Sequence, residues 1–329
     1  MKIGIFSDPH ITRKISYLPD RYYNIIDTFR EIYKVFINSG VDIVVCCGDL
    51  FDKSRLLAID TKLVSNVLSI MSMRETYVLS GNHDIGNDDS SLIDLLDLVD
   101  NLIPISEVYS FENLVFVPYG KMIPDNIKEG SILFTHDEFS GMTINSLGIQ
   151  SKSKNTIDNR FTVFNGHIHL PSLYGNILNV GSVLPSKFGE MRFGDSINIY
   201  VYDTETKVIE THPLKSPYRF YIIDQKSVLN GSLEELYDRE KICLRIDYTD
   251  DDFYKEYGEM DWSDYRYVTF RKVLPESLSS DVMLSSKSEV QKINVPDFIE
   301  SRISKDSTIS DTMRQSLLSE YPGILVEEV

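Results

Sequence analysis

Several things are scarce in this sequence, and each scarcity removes a class of protein. No run of about 18 apolar residues occurs, so a membrane-spanning helix is excluded. Three cysteines, Cys46, Cys47 and Cys243, cannot build a paired disulfide framework. Two of them sit side by side in an apolar run, which predicts buried, inert thiols and a reducing, cytoplasmic setting. The N-terminal MKIGIFSDPH has no apolar h-region, so no secretory leader is expected. Basic residues are outnumbered, 33 against 50 acidic, giving a net charge of −17. That argues against coating nucleic acid by bulk charge, although bound divalent cations would change the local sign. No internal repeat or low-complexity block is present. At 329 residues, 42% hydrophobic and 25% charged, the composition is that of a globular chain of about two domains.

What the chain does have is periodicity. Lys2–Phe6, Val41–Cys47 and Glu75–Leu79 read as strands. Between them lie two helical stripes. One spans Arg21–Ser39 through Ile25, Phe29, Ile32 and Phe36, with Gly40 as C-cap. The other spans Leu57–Met73 through Ile59, Leu63, Val67, Ile70 and Met71. A βαβαβ start predicts parallel strands joined by crossover helices. After about residue 110 strands dominate: Leu114–Pro118, Ser131–Phe134, Phe161–Phe164, Ile177–Val180, Ile197–Tyr202 and Val208–His212. A third texture begins near Pro217, with strands at Arg219–Asp224, Ile242–Tyr248 and Tyr267–Lys272 and a helix near Ser232–Arg239. Residues 277–290 read as a serine-rich linker, and 291–329 as a helical tail with two apolar stripes.

Only six histidines occur, and five fall in short motifs just past these strands. Asp8-Pro9-His10 follows the first strand, Gly48-Asp49-Leu50-Phe51-Asp52 the second and Gly81-Asn82-His83-Asp84 the third. His136 and Gly166-His167-Ile168-His169 follow two later ones. Polar groups that end parallel strands gather at one rim of a sheet, where α/β proteins place their sites. Asp8, His10, Asp49, Asn82, His136, His167 and His169 offer oxygen and nitrogen donors and no thiolate. Seven donors exceed one ion's needs and suit a pair of ions such as Mn²⁺, Fe²⁺ or Zn²⁺. Two ions about 3.5–4 Å apart can activate water and clamp a phosphoryl group. Glycines at 48, 81 and 166 allow close backbone approach.

In this order, DPH, GDLFD, GNHD, a later histidine and GHIH resemble the calcineurin-like metallophosphoesterases. The resemblance implies an α/β fold, a β-sandwich flanked by helices, with Asp49 bridging two metals. It implies Asp8, His10 and His169 around one ion, and Asn82, His136 and His167 around the other. His83 would be no ligand; as the catalytic group it would face the scissile phosphate, oriented by Asp52. Protein Ser/Thr phosphatases of this superfamily carry an Arg after GDxxD and another before GNH, whereas Lys53 and Ser80 stand here. Instead, Gly181-Ser182 through Glu190 is similar to the glycine-serine…glutamate element of the SbcD nucleases, bacterial and phage relatives of the eukaryotic meiotic-recombination-eleven nuclease. Eukaryotic and archaeal members often have His where this chain, like bacterial ones, has Asp52.

The likeness implies a catalytic domain over 1–216, a small α+β DNA-binding capping domain over 217–276, and a tail over 291–329 docking on an SbcC-type coiled-coil ATPase. It further implies a Mn²⁺-dependent DNA exonuclease and endonuclease acting in recombination, repair or replication. A homodimer would form through Arg21–Ser39 or Ser90–Val99. The alternative is a small-molecule or cyclic-nucleotide metallophosphodiesterase, and a third class is a scaffold of the same fold without activity. Among the remaining features, His212 reads as a surface histidine, Asp88-Asp89 as a helix-capping loop and Asp250-Asp251-Asp252 as a solvated turn. Arg13, Lys14, Lys53, Arg55, Lys152, Lys154, Arg160, Lys187 and Arg192 lie near the motif loops. They are as consistent with a positive collar as with scattered solubilising charge.

Overall fold

The first strand sets the architecture. In β1 (Lys2–Phe6) alternate residues face opposite ways. Ile3 and Ile5 enter one buried cluster, while Phe6 joins another with the first helix, α1 (Arg21–Asn38). Gly4 lies under that helix: a Cβ there would come within 2.8 Å of the Phe36 ring. Helix α1 buries Ile25, Phe29, Ile32 and Phe36 along one face, as the stripe predicted. It ends at Gly40 (φ +66°), with Gly40 N–H donating to Ile37 O and Val41 N–H to Phe36 O, a Schellman stop.

The chain continues through β2 (Ile43–Cys46), α2 (Thr61–Met71), β3 (Thr76–Leu79), a 3₁₀ segment at Leu92–Leu98, β4 (Leu102–Ile105), β5 (Tyr109–Phe111), β6 (Leu114–Val117), β7 (Ile132–Thr135), β8 (Thr162–Asn165), β9 (Ser172–Tyr174), β10 (Ile177–Asn179), β11 (Ile197–Asp203) and β12 (Ile209–Leu214). These strands form two six-stranded sheets, β12-β11-β1-β2-β3-β4 and β5-β6-β7-β8-β10-β9. In the first, β1 to β4 run parallel; in the second, β6, β7, β8 and β10 do. The structure, a computed structural model, describes residues 1–12, 18–54, 60–86 and 91–273, and Met1–Val273 is one compact unit.

The two sheets pack face to face through Ile3, Ile5, Val45, Tyr77 and Leu79 on one side and Phe116, Phe134 and Phe164 on the other. The three phenylalanines sit on neighbouring strands and stack at 5.2 and 5.6 Å with nearly parallel rings. Each such pair contributes about 0.5–1.5 kcal/mol beyond its burial. The expected sandwich flanked by helices is thus observed. A third, parallel sheet holds β13 (Arg219–Asp224), β14 (Ile242–Tyr248) and β15 (Tyr267–Lys272). Its Tyr221, Ile223, Leu244 and Ile246 share a buried cluster with Val183, Leu184 and Met191.

Some expectations need correction. The helix read at Ser232–Arg239 is instead α3 (Gln225–Leu229), capped by Asp224, followed by 3₁₀ turns at Ser232–Glu235 and Arg239–Lys241. Only Leu233 and Leu236 there are apolar and packed, too few for a sustained stripe. The acidic run 250–252 is no turn but the start of α4 (Asp251–Tyr257): Asp250 accepts from Asp252 N–H, and acids suit a helix N-terminus. The segment Ser90–Val99 is 3₁₀ rather than α-helical over Leu92–Leu98. Strand β4, which the periodicity did not predict, carries Pro104 at the edge of its sheet, where a residue without an N–H is tolerated. The linker, the tail, Arg13, Lys14, Arg55, Asp88 and Asp89 lie outside the described residues.

Candidate metal centre

Every motif loop leaves the C-terminal end of a parallel strand. The Asp8–His10 loop follows β1, Gly48–Asp52 follows β2, Gly81–Asp84 follows β3, His136 follows β7 and Gly166–His169 follows β8. Because both sheets run their parallel strands toward the same rim, these five loops meet there. The backbone is bent to make them meet. Asp8 (φ 51°), His10 (41°), Asp49 (51°) and His167 (75°) all adopt the left-handed region, half of such non-glycine residues among the eight described. Non-glycine residues cost energy there, and such strain concentrates at functional sites.

Three glycines make room. A Cβ on Gly81 would lie 2.0 Å from Asp49 Oδ1, and one on Gly48 2.2 Å from His136 Nδ1. One on Gly166 would lie 2.2 Å from Cys47 O. No side chain larger than hydrogen fits at these points without moving the loops.

Two donor groups result, together with a third set that contains His83. In the first, ligand atoms of Asp8, His10 and His169 lie within 4.8 Å of one another. In the second, those of Asp49, His136 and His167 do. Asn82 joins the latter, its Oδ1 2.8 Å from His167 Nδ1 and 3.3 Å from His136 Nε2. Asp49 Oδ2 stands between the groups, 3.4 Å from His10 Nε2 and 3.5 Å from His136 Nε2. His10, Asp52 and His83 make the third set within the same limit. His83 Nδ1 is 2.8 Å from the main-chain oxygen of Asp52. A carbonyl only accepts, so Nδ1 carries the proton and Nε2 is left for other work. Asp52 therefore holds His83 through its main-chain carbonyl.

The chemistry of the donors fits cations. His136 Nδ1 donates to Cys47 O at 2.7 Å, which turns its Nε2 lone pair toward Asn82 Oδ1 and Asp49 Oδ2. A lone pair facing two oxygens is repulsive unless a proton or a cation lies between them. His10 Nε2 and His169 Nε2 face each other at 2.9 Å, and buried His10 Nδ1 has no hydrogen-bond partner. Protons fill the role in the metal-free chain. Burial works against a charged His136, but the Asp49 carboxylate overrides it and raises the imidazole to about 9. His169 also reaches about 9, burial being overridden by Glu190. Burial drives the Asp8 carboxyl up, against the pull of His136 and His169. His10 is driven well down by burial and by its neighbour His169.

The sequence reading missed three residues that hold this arrangement. Glu190 Oε1 takes the His169 Nδ1 proton at 2.7 Å, while its Oε2 accepts from Ser186 and Lys187 N–H at 2.8 and 3.0 Å. Asp84, fully buried, accepts from Phe51 N–H at 3.0 Å and Gly81 N–H at 2.8 Å, tying the GDLFD loop to the GNHD loop. Burial, with the charge of Asp49, raises its carboxyl to about 7. Both lie inside quoted motifs, so their positions were legible although their partners were not. Glu138, beside His136 and Asp137, reaches to 3.4 Å from His167 Nε2. His212 stands away from the cluster, near Glu210. Of the proposed basic collar, Lys53 lines a cavity with His83, whereas Arg160 is paired with Asp158 at 2.8 Å.

The model of the calcineurin-like phosphoesterase family matches residues 1–182, more than half the chain and all five motif loops. The chain belongs to this family. Its members are metal-dependent phosphoester hydrolases with a dinuclear divalent metal centre. Among relatives, protein 244L of Invertebrate iridescent virus 6, whose name describes a phosphoesterase, is 28% identical over 212 residues, 57% of this chain and 72% of that protein. Among solved structures, an archaeal phosphodiesterase is 16% identical, covering 65% of this chain and 100% of its own at a TM-score of 0.35. The nuclease MPE of Pseudomonas putida is 14% identical, covering 64% and 87% at a TM-score of 0.32. No described helix of this phosphoesterase is long and apolar enough to cross a membrane.

Proposed function

We propose that this phosphoesterase is a Mn²⁺-dependent DNA nuclease of the SbcD type, cutting phosphodiester bonds as an exonuclease on duplex ends and an endonuclease on single strands. In that reading Asp8, His10, Asp49 and His169 hold one ion, and Asp49, Asn82, His136 and His167 hold the other. The observation that carries the subfamily is the way the glycine-serine…glutamate element wraps the first group. Ser182 Oγ donates to Asp8 O at 2.7 Å, Ser182 N–H donates to His169 O at 3.0 Å, and Glu190 holds His169. The element that resembles SbcD nucleases thus touches two of the seven donors.

Two divalent ions there supply Lewis acidity, making water a better nucleophile and neutralising charge on the phosphoryl oxygens. The chain supplies placement. Asp49 Oδ1 accepts from His83 N–H at 2.9 Å, fixing that backbone, and the Asp52 carbonyl fixes the imidazole. The His83 ring meets the His10 ring edge to face at 4.7 Å, so it borders the donor cluster without closing it. When doubly protonated it donates from Nε2 to the 3′ oxygen as that oxygen leaves. A cavity of about 480 Å³ lined by Asp52, Lys53, Asn82, His83 and Ile85 offers this face to the strand.

Assembly completes the proposal: a homodimer, a capping domain in 217–276 that grips DNA, and a tail over 291–329 that binds an SbcC-type ATPase, in recombination, repair or replication. Full-length protein with Mn²⁺ is expected to cut a DNA oligomer, to lose activity in chelator, and to turn over cyclic nucleotides far more slowly. Faster turnover of the small substrates would favour the metallophosphodiesterase alternative. Deleting residues 290–329 is expected to spare nuclease activity and abolish co-purification with the ATPase; retained co-purification would refute the tail's role.

A further inference from the structure

Beside the donor cluster lies a second cavity, of about 450 Å³, lined by Tyr119, Lys121, Met122, Asp137, Phe139 and Asn155. That volume is within the range of about 300–1,000 Å³ for small-ligand sites. We infer that it is a nucleobase subsite, receiving the base of a nucleotide whose phosphate sits at the candidate metal centre. The inference rests on the nucleic-acid reading above.

Tyr119 is its floor and its link to the chemistry. The residue follows β6, and its N–H donates to Ser80 O at 2.9 Å, which locks it against the GNHD loop. Its ring lies 5.6 Å from the His167 ring and 6.2 Å from the His136 ring, while 36% of the residue stays exposed. A tyrosine held by its backbone and half open to solvent offers a flat π-face at little entropic cost. Met122, 88% exposed, is a soft, polarizable arm at the same cavity, and buried Phe139 backs it.

The charges select a base over a phosphate. Lys121 is engaged by Glu107 at 2.6 Å. The Asp137 carboxylate remains, bonded by Glu138 N–H at 2.7 Å and Asn155 Nδ2 at 3.0 Å. A carboxylate repels the sugar–phosphate backbone, yet it has acceptor capacity left for the amino and imino hydrogens along a base edge. Aromatic face, thioether and edge acceptor together describe a neutral, planar heterocycle bearing donors.

The test compares a short single-stranded deoxyoligonucleotide with the same strand made abasic. Binding to the full-length chain is read by fluorescence anisotropy in Ca²⁺, so that it does not depend on turnover. The wild type is expected to favour the base-bearing strand by about 5- to 150-fold, the stacking range for one base. Tyr119→Ala should remove most of that preference and leave abasic binding unchanged, and Tyr119→Phe should retain it. Met122→Ala, at an exposed position with no role in the fold, should reduce it partially. Equal binding of both strands by the wild type, or a preference untouched by Tyr119→Ala, overturns the subsite. Absence of hydrolysis in Mn²⁺ would overturn the nuclease proposal while leaving the binding comparison to decide the subsite on its own.

Discussion

Replacing Glu190 by glutamine changes one charge and almost no volume. The Glu190 carboxylate is held near 2 because, although burial opposes its charge, His169 and the Ser186 and Lys187 amides favour it more. It therefore presents a full charge to His169 Nδ1 at 2.7 Å. A carboxylate there fixes the imidazole tautomer and raises the basicity of Nε2, the atom facing His10 and Asp8. A charge-assisted bond is worth about 1.5–3 kcal/mol and a neutral one about 0.5–1.5, so the change removes roughly 1–1.5 kcal/mol from one imidazole. That corresponds to about tenfold in metal affinity, the low end of the 10- to 100-fold range for such supporting groups. Isothermal titration of Mn²⁺ into the metal-free protein, corrected for the proton that His169 gives up, should show one of two binding events weakened by this factor. Excess Mn²⁺ should then restore turnover. An unchanged titration accompanied by a fall in melting temperature would mean that Glu190 only ties down its own loop, and the positioning argument would fail.

His83→Gln should leave both Mn²⁺ binding events in place and lower kcat by about 10²–10⁴, the range for loss of a general acid; loss of metal instead would make His83 a ligand. Gly81→Ala drives a methyl into the space of Asp49 Oδ1 and N, so calorimetry should show both binding events weakened in a chain whose circular dichroism is unchanged. Wild-type affinity there would refute the tight fit. Metal affinity should fall with pH. His136 and His169, both raised to about 9 in the metal-free chain, are protonated at pH 7, and a protonated imidazole cannot coordinate. Below pH 9 each displaced proton costs up to about tenfold in affinity per unit. Binding in two buffers of different ionisation enthalpy should reveal net proton release, and none would refute the raised imidazoles.

How much of the site could be read from the chain alone depended on the kind of contact. Asp8, His10, Asp49, Asn82, His136, His167 and His169 stood out because glycines and strand ends flank them, and the fold does gather them at one rim. Asp84 and Glu190 were visible as letters, but their work is done across 33 and 21 residues of chain, on Phe51 N–H and on His169 Nδ1. Tyr119 carried no local signal at all. Its relation to His167 exists only because β6 and β8 flank β7 in one sheet. That His83 leans on the Asp52 carbonyl instead of the carboxylate was equally hidden, since a main-chain oxygen has no residue identity to read.

Periodicity and turn chemistry are local, so the order of residues by itself fixed the βαβαβ beginning, the α1 stripe with its Gly40 stop, the three strands after Pro217 and the donors waiting at the strand ends. Where two loops press together is a long-range matter. The left-handed backbone at Asp8, His10, Asp49 and His167, the hydrogen-sized gap between Gly81 and Asp49, and the cavity lined by Tyr119 follow from two sheets closing on a shared core. The free energy that bends those loops comes from that core, from Ile3, Ile5, Phe116, Phe134 and Phe164 at a distance from the rim.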